Sequence, residues 1–322
     1  MRACSFLAPA KINLYLEIVG EEIASDRQYH ELVMVMQTID LSDRVSLNLN
    51  GLETFQVRCN HPQVPTDSSN LAYRAADLMQ TEFPDRWEQY GGVNITIDKY
   101  IPVAAGLAGG STNAAAVLVG LNTLWNLGLT QPELQALGTK LGADVPFCLA
   151  GGTMLATGAG DSLSPLPDLE DFYVVLAKHK SVSVSTGWAY KTYRQQFGST
   201  YPQDTQTLAE RRQRFHSGEM VAAIGKRDRE EIARQLHNDL EKVVLPAYPQ
   251  VQTLREAFVE AGALGTLMSG SGPTVFGLCL SLEDAQLLQE RVKATVQQTD
   301  EIKFYIAKFT STGIDWHNYE RF

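Results

Sequence analysis

Between Lys99 and Glu133 the chain carries no charged side chain. Inside that gap lies PVAAGLAGGSTNAAAVLVGLN, Pro102–Asn122, with Gly106, Gly109 and Gly110 in its first nine positions, then Ser-Thr-Asn, then an apolar run. The preceding NITIDK (94–99) alternates like a strand, and beyond the glycines Ala114, Val117, Leu118, Leu121, Leu124 and Trp125 recur at helical spacing. The order is therefore strand, glycine loop, helix, with Ser111, Thr112 or Asn113 as the candidate N-cap. A helix that begins this way exposes several backbone N–H groups, and its dipole adds about half a positive charge there. Glycines let an anion approach where a Cβ would block it. Ser111 and Thr112 can add hydroxyl donors or reach a metal ion. A plain strand-to-helix turn packed on a sheet is the competing reading.

The loop is not GxxxxGK[ST], because no lysine lies between Val103 and Asn113, and it is not GxGxxG. A membrane span fails on content: glycines, Ser111, Thr112, Asn113, Asn122 and Asn126 interrupt any run approaching ~18 apolar residues.

With 322 residues, two domains are expected, and roughly 75% of the unfolded surface can be buried without staples. A net charge of −10 argues against nonspecific nucleic-acid binding but leaves an anionic substrate open. The four cysteines form no CxxC pair and have no zinc-finger spacing, so they read as free thiols in a reducing, cytoplasmic setting. The six histidines include no HExxH, and MRACSFLAPAKINL has no apolar stretch of signal-peptide length. Neither a membrane nor a nucleic acid is expected as a partner.

Ile12, Leu14, Leu16 and Ile18 alternate with Asn13, Tyr15 and Glu17 as in a half-buried strand. GEEIASDRQYH (20–30) reads as a loop; ELVMVMQTI, VSLNLN and FQVRC read as strands. A helix is expected over about 70–83 with Asn70 as N-cap. Another runs from the capping box at Thr130–Glu133 to near Gly142, followed directly by Ala143-Asp144-Val145-Pro146. The Gly- and Pro-rich 151–172 suggests a domain boundary, giving domains 1–165 and 166–322. Beyond it come a strand YVVLAK, a helix from Ser185 through Tyr193, a polar loop QQFGSTYPQDTQT, and helices near 207–216, 228–241 and 249–261. TLMSGSGPTVFGLCL reads as strand, glycine turn, strand, and a helix over 282–297 and a strand KFYIAKF close the pattern.

Four further stretches can carry chemistry, and each has an ordinary explanation. Lys11 in APAKINLYLEI, beside Asn13, reads as a solvated strand lysine. Asp144 in GADVPF reads as a turn former. Ser269–Pro273 serves as a hairpin connection. Tyr29-His30 can stack on and hydrogen-bond a base, or stand as surface residues. The basic residues of AERRQRFHSG and GKRDREEIARQ are interleaved with acids and read as a solvated helix face rather than an RNA site.

Taken in order, PAKINLYLEIVG, PVAAGLAGGSTNAAA, LGADVPF and SGSGPTVFGL resemble the GHMP kinases, named for galacto-, homoserine, mevalonate and phosphomevalonate kinases. The resemblance spans essentially the whole chain. It implies an α+β, two-domain architecture: an N-terminal ribosomal-S5-domain-2-like ATP-binding domain, a C-terminal α+β substrate domain, and the active site between them. The APAKINL opening, the YH dipeptide ahead of a strand ending in Asp40, and LGADVPF are similar to the branch that phosphorylates a small cytidyl diphosphate alcohol in the non-mevalonate isoprenoid pathway.

On that resemblance Pro102, Val103, Ala104, Ala105, Gly106, Leu107, Ala108, Gly109, Gly110, Ser111 and Thr112 cradle the phosphates of ATP, and Ser111 or Thr112 faces Mg²⁺. Asp144 is the implied catalytic base, and Lys11 the lysine that pairs with it and orients the hydroxyl, with Asn13 beside them. Tyr29 and His30 match the pair that stacks on and reads the cytosine. Thr186 and Tyr190 match a hydroxyl contact and the second stacking aromatic, and Gly270–Gly272 match the supporting third motif. The family's usual GLGGGSS is here GLAGGST, and Ala108 is expected to have a backbone compatible with a Cβ rather than a positive φ. The rival readings are another GHMP kinase of homoserine or mevalonate type, and a noncatalytic nucleotide or RNA binder on the same amino-terminal fold. Tyr29-His30 speaks against the first, and Lys11 with Asp144 against the second.

Overall fold

The computed structural model describes residues 2–24, 27–202, 204, 206–208, 210–211, 218–296, 299–315 and 320–321, with backbone alone at 22–24, 27–29 and 320–321. Its scaffold is one long antiparallel hairpin, β1 (Ala3–Ala24) against β2 (Arg27–Leu49). Where a loop is expected over 20–30, the described residues 20–24 and 27–30 are strand. Gly20 pairs with Glu31, and the ladder runs on to Ala24 opposite Arg27. Backbone pairing needs no apolar side chains, so the polar composition of this arm disguises a strand pair.

The alternation of β1 is broken three times, between Pro9 and Ala10, Asn13 and Tyr15, and Ile18 and Gly20. Each slip flips the face to which even-numbered residues point. Cys4, Phe6 and Ala8 belong to the core under the helices, Ala10, Ile12 and Leu14 to the core facing the second sheet, and Leu16 and Ile18 to the first again. Lys11 and Asn13 thereby turn toward the side where the helices begin.

The hairpin is joined by β3 (Gln56–Cys59), β4 (Val93–Asp98), β5 (Thr153–Gly158) and β6 (Ser162–Pro165), with short strands β8 (His237–Asn238) and β12 (Glu320–Arg321) on β1. The main strand order is β12-β1-β2-β4-β3, with β5 on β2, β6 on β5 and β8 on β1. β3–β4 and β1–β8 pair parallel, and the other pairs antiparallel. Covering one face are α1 (Leu71–Glu82), α2 (Pro84–Tyr90), α3 (Gly109–Leu124), α4 (Gln131–Thr139) and α5 (Val145–Ala150). Asn70 caps α1 through the Ala72 N–H, and the Thr130–Glu133 box opens α4. α3 is buried on nearly all sides, as a helix apolar around its whole circumference must be.

A second, wholly antiparallel sheet has the order β11-β7-β10-β9, with β7 Tyr173–His179, β9 Thr266–Met268, β10 Val275–Cys279 and β11 Ile302–Lys308. Its helices are α6 (Thr186–Phe197), α7 (Glu219–Lys226), α8 (Arg229–Arg234), α9 (Glu241–Ala247), α10 (Pro249–Glu260) and α11 (Leu282–Thr295). Phe172, Leu176, Phe276 and Phe309 pack between the sheets against Ile12, Leu14, Val33 and Val35. The single helix expected over 228–241 is instead α8, β8 and α9. Asn238 and Asp239 spend their side chains on distant backbone groups, which breaks the helix between Arg234 and Glu241. Of the helix expected over 207–216, residues 206–208 and 210–211 are helical and the remainder lies outside the described residues.

Candidate active site

A cleft of about 650 Å³ opens where the N-terminus of α3, the bulged part of β1, the β9–β10 turn and α6 converge. Lys11 Nζ donates to Asn13 Oδ1 at 2.7 Å and stands 3.8 Å from Asp144 Oδ2. The Lys11 side chain is 6% exposed and that of Asp144 33% exposed. Asp144 occupies the N-cap position of α5, a helix the sequence pattern did not indicate, yet makes no capping hydrogen bond. Its carboxylate is left to face the lysine and the cleft.

Pro102 through Ser111 line the cleft, and Thr112 does not. Its hydroxyl is enclosed beside the Cys148 thiol, and burial pushes that thiol well above its ordinary range. The cap expected at Ser111–Asn113 is also displaced. α3 begins at Gly109, with Ala108 in the N-cap position and no side chain capping it. The first intrahelical bond runs from the Thr112 N–H to the Ala108 carbonyl at 2.9 Å, so the N–H groups of Gly109, Gly110 and Ser111 are offered to the cleft. Ala108 itself has φ 56° and ψ 27°, contrary to the expectation of an ordinary backbone there. Only a left-handed residue turns this loop into the helix, and an L-side chain there costs ~1–2 kcal/mol.

Gly106 cannot be replaced so easily. A Cβ on it would lie 2.1 Å from the Ser269 carbonyl oxygen. The Ser269 hydroxyl donates to the Gly106 carbonyl at 3.0 Å, which locks the loop to the β9–β10 turn. Gly270 and Ser271 of that turn line the cleft, and Ser271 Oγ is 2.8 Å from Thr186 Oγ1 at the start of α6. Ser185 caps that helix through the Trp188 N–H.

Sequence reasoning did not single out Lys99. It follows β4, its Nζ pairs with the Asp43 carboxylate, and it lines the cleft where a Cβ on Gly109 would come within 2.6 Å of it. Asp43 is fully buried. It accepts from Asn113 Nδ2 and from the Tyr100 and Ile101 N–H groups, each at 2.8 Å. A cation therefore does stand by the glycine loop, supplied by the strand ahead of it and partly neutralised from beneath.

At the opposite end, the His30 ring stacks on Tyr190, centroids 5.2 Å apart at 29°, which leaves no space for another ring between them. His30 Nδ1 is 3.5 Å from the Tyr201 hydroxyl and 3.7 Å from Glu21 Oε1, which accepts from Arg194 Nε at 2.8 Å. Burial lowers the His30 pKa below 6.5; the Glu21 charge opposes this and Arg194 reinforces it. Burial, with the Asp144 charge, raises that of Tyr190. Tyr29 lies in β2 opposite Glu22, and its side chain is outside the described residues. Glu21, Arg194 and Tyr201 were not foreseen; the one available signal was the acidic pair Glu21-Glu22 in an arm mistaken for a loop. Among the described residues, no group of three or more His, Cys, Asp or Glu could hold a metal, and no helix is long and apolar enough to cross a membrane.

Residues 70–152 match the model of the GHMP kinases N terminal domain, and residues 220–298 that of the GHMP kinases C terminal domain. The chain is 58% identical to the 4-diphosphocytidyl-2-C-methyl-D-erythritol kinase of Trichormus variabilis over 98% of each chain, and 56% identical to that of Gloeothece citriformis over 98% of each. A crystal structure of 4-(cytidine 5'-diphospho)-2C-methyl-D-erythritol kinase superposes with TM-score 0.70 at 28% identity, covering 95% of this chain and 98% of that one. A homoserine kinase from Cytophaga hutchinsonii, at 20% identity, shares the fold with the same TM-score over 98% of this chain and 97% of that one. The two domain models, the full-length relatives and the shared architecture agree: the chain belongs to the GHMP kinases, and within them to the 4-diphosphocytidyl-2-C-methyl-D-erythritol kinases.

Proposed function

We propose that this kinase uses ATP to phosphorylate the 2-hydroxyl of 4-diphosphocytidyl-2-C-methyl-D-erythritol, with the Lys11–Asp144 pair at the transferring end of the cleft and His30 and Tyr190 at the base end. The observation that carries this reading is the Lys11–Asp144 pair opening into the same cleft as the uncapped start of α3. Asp144 accepts the proton of the attacking hydroxyl, since an alcohol is a poor nucleophile until a positioned base takes its proton. Lys11, 3.8 Å away, faces that carboxylate and steers the hydroxyl. Asn13 fixes the ammonium by accepting one of its protons.

The residues along 102–111 fit a polyphosphate. Free N–H groups converge at a helix N-terminus, Gly110 adds no bulk, and Lys99 stands beside them. The chemistry of the donors also fits Mg²⁺ bound through the nucleotide: the Ser111 hydroxyl would hold it, since Ser111 lines the cleft and the Thr112 hydroxyl is enclosed. Mg²⁺ would supply charge neutralisation on the transferring phosphate. Phosphoryl transfer asks mainly for positioning and electrostatics, which these backbone groups provide. The base end reads the cytidyl group through the His30 imidazole and the Tyr190 ring, and Thr186 contacts the substrate through its hydroxyl. A cytoplasmic location and a division into domains 1–165 and 166–322 accompany this reading.

Incubation with ATP, Mg²⁺ and a panel of cytidyl and noncytidyl alcohols tests it. ADP is expected with the cytidyl diphosphate alcohol, and release of ADP with homoserine or mevalonate instead would overturn the substrate assignment.

A further inference from the structure

Two adjacent residues interrupt the expected helix over 228–241, and nothing in the transfer chemistry uses them. Asn238 and Asp239 are each 3% exposed. They lie side by side where β8 runs along β1, and they reach opposite ways.

Asn238 Nδ2 donates to the carbonyl of Met268, at the end of β9, at 2.7 Å and to that of Gly270, in the β9–β10 turn, at 2.8 Å, while its Oδ1 accepts the Leu240 N–H at 2.9 Å. Three hydrogen bonds to backbone fix the amide in one orientation. A carboxylate there would aim an acceptor at two acceptors. Through that turn the constraint passes to the glycine loop, by the Ser269–Gly106 bond, and to Thr186, by Ser271.

Asp239 Oδ2 accepts the Ile18 N–H at 2.8 Å, where the ladder slips past Val19 and the arm bearing Glu21 and His30 begins. Its other oxygen accepts from Lys242 Nζ at 2.7 Å and faces His237 Nε2 at 3.1 Å, and its own N–H donates to the Leu16 carbonyl. Burial works to raise the pKa of this carboxyl, but the hydrogen bonds from His237, Lys242 and Ile18 outweigh it and hold the group at about 2. It remains a charged acceptor at any pH the enzyme meets.

We propose that Asn238 and Asp239 are paired positioning residues that set the two ends of the cleft against each other, Asn238 fixing the phosphate end through the glycine turn and Asp239 fixing the base end through the bulge at Val19. This deepens the function proposed above and rests on it. A reacting hydroxyl bound by its distant base must arrive in line with the transferring phosphate, and misplacement by about 1 Å can cost 10²-fold. The shared backbone of two neighbouring residues is a short, stiff link between those two ends.

The test uses two near-isosteric substitutions, Asn238→Asp and Asp239→Asn, in the full chain. Asn238→Asp is expected to lower kcat about tenfold or more and to weaken binding of a nonhydrolysable ATP analogue, with affinity for CDP nearly unchanged. Asp239→Asn is expected to raise the KM for the cytidyl alcohol and the Kd for CDP about fivefold and to lower kcat about tenfold, leaving the affinity for the ATP analogue within about twofold. If Asn238→Asp does not fold, Ser269→Ala cuts the same link farther along and is expected to act in the same direction. If Asp239→Asn does not fold, Lys242→Met weakens the same carboxylate from its exposed side. Folded variants that keep all constants, or that shift both ends by the same factor, would reduce the pair to a merely structural role. The direct binding measurements hold even if the wild-type chain turns over no cytidyl alcohol. A split in the two affinities would then uphold the positioning pair while the proposed substrate fell.

Discussion

The two ends of the cleft are made of different material. The end proposed for phosphate is backbone: an uncapped helix start, a loop that turns through left-handed residues, and a glycine pressed against a second glycine turn. The end proposed for the base is side chains: His30 and Tyr190 line the cleft, and Glu21, Tyr201 and, through Glu21, Arg194 hold His30 by ring contact and charge. A backbone site binds any group of the right charge and tolerates little change of shape. A side-chain site distinguishes one base from another and can be altered one residue at a time.

The sharpest way to break this comparison lies where the ends meet. Asp144→Asn keeps the shape but removes the proton acceptor, and kcat is expected to fall roughly 10²–10⁴-fold with both substrates still bound. Steady-state kinetics on a folded preparation check it, and near-normal turnover would leave Asp144 as an ordinary turn residue. Lys11→Met is expected to be similarly damaging, and the double variant far less than multiplicative, because the two act as a unit.

His30→Ala is expected to weaken the cytidyl substrate by ~1–3 kcal/mol, the usual worth of a base–aromatic contact, and to leave ATP affinity alone. A fall in ATP affinity instead would mean that the two ends are not separable. Acid offers a gentler probe of the same residue. Burial lowers the His30 pKa, so the ring stays neutral as pH falls past 6.5, and the KM for the alcohol is expected to stay flat there and rise only at lower pH. A break in that KM above pH 6.5, carried by wild type and absent from His30→Ala, would contradict the assignment. In stability the sign is the same: a lowered folded pKa means that stability is lost on acidification, as the unfolded chain takes up its proton first.

The smallest effect expected is a gain. Ala108→Gly removes a left-handed alanine from the phosphate loop and is expected to stabilise the protein by up to about 1 kcal/mol, part of the relief being returned to the more flexible unfolded chain. Thermal unfolding reads it as a rise of about 2 °C. A lower Tm would show that the Ala108 methyl is better packed than its φ suggests.

The same division explains what could be read in the sequence. A backbone site is written contiguously, so the glycines, the missing charge and the apolar run after Asn113 announced strand, loop and helix in order. Even there the cap was misjudged, because Ser111, Thr112 and Asn113 look like caps by type while the loop ends one turn earlier, at Ala108. The other end is written locally only in Tyr29-His30, and the partners of His30 leave no such signal. Glu21 and Arg194 lie 173 positions apart in the chain, and only the fold brings them to 2.8 Å. The break between α8 and α9 was hidden for the same reason: the partners of Asn238 and Asp239 are Met268, Gly270 and Ile18, far off in sequence.

The slips in β1 have a consequence for what this chain can tolerate. Lys11 faces the cleft only because the strand changes phase after Pro9 and again at Leu14. Which way the lysine points is thus a matter of counting residues, not of composition. Adding or removing one residue between Pro9 and Lys11 would swing the ammonium into the apolar layer between the sheets, among Ile12, Val35 and Phe276, where a charge without a partner costs several kcal/mol. Evolution can therefore lengthen the tip of the arm, beyond the Glu21–His30 pair, far more freely than it can insert a single residue in PAKIN, where one added residue would turn Lys11 away from the Asp144 carboxylate.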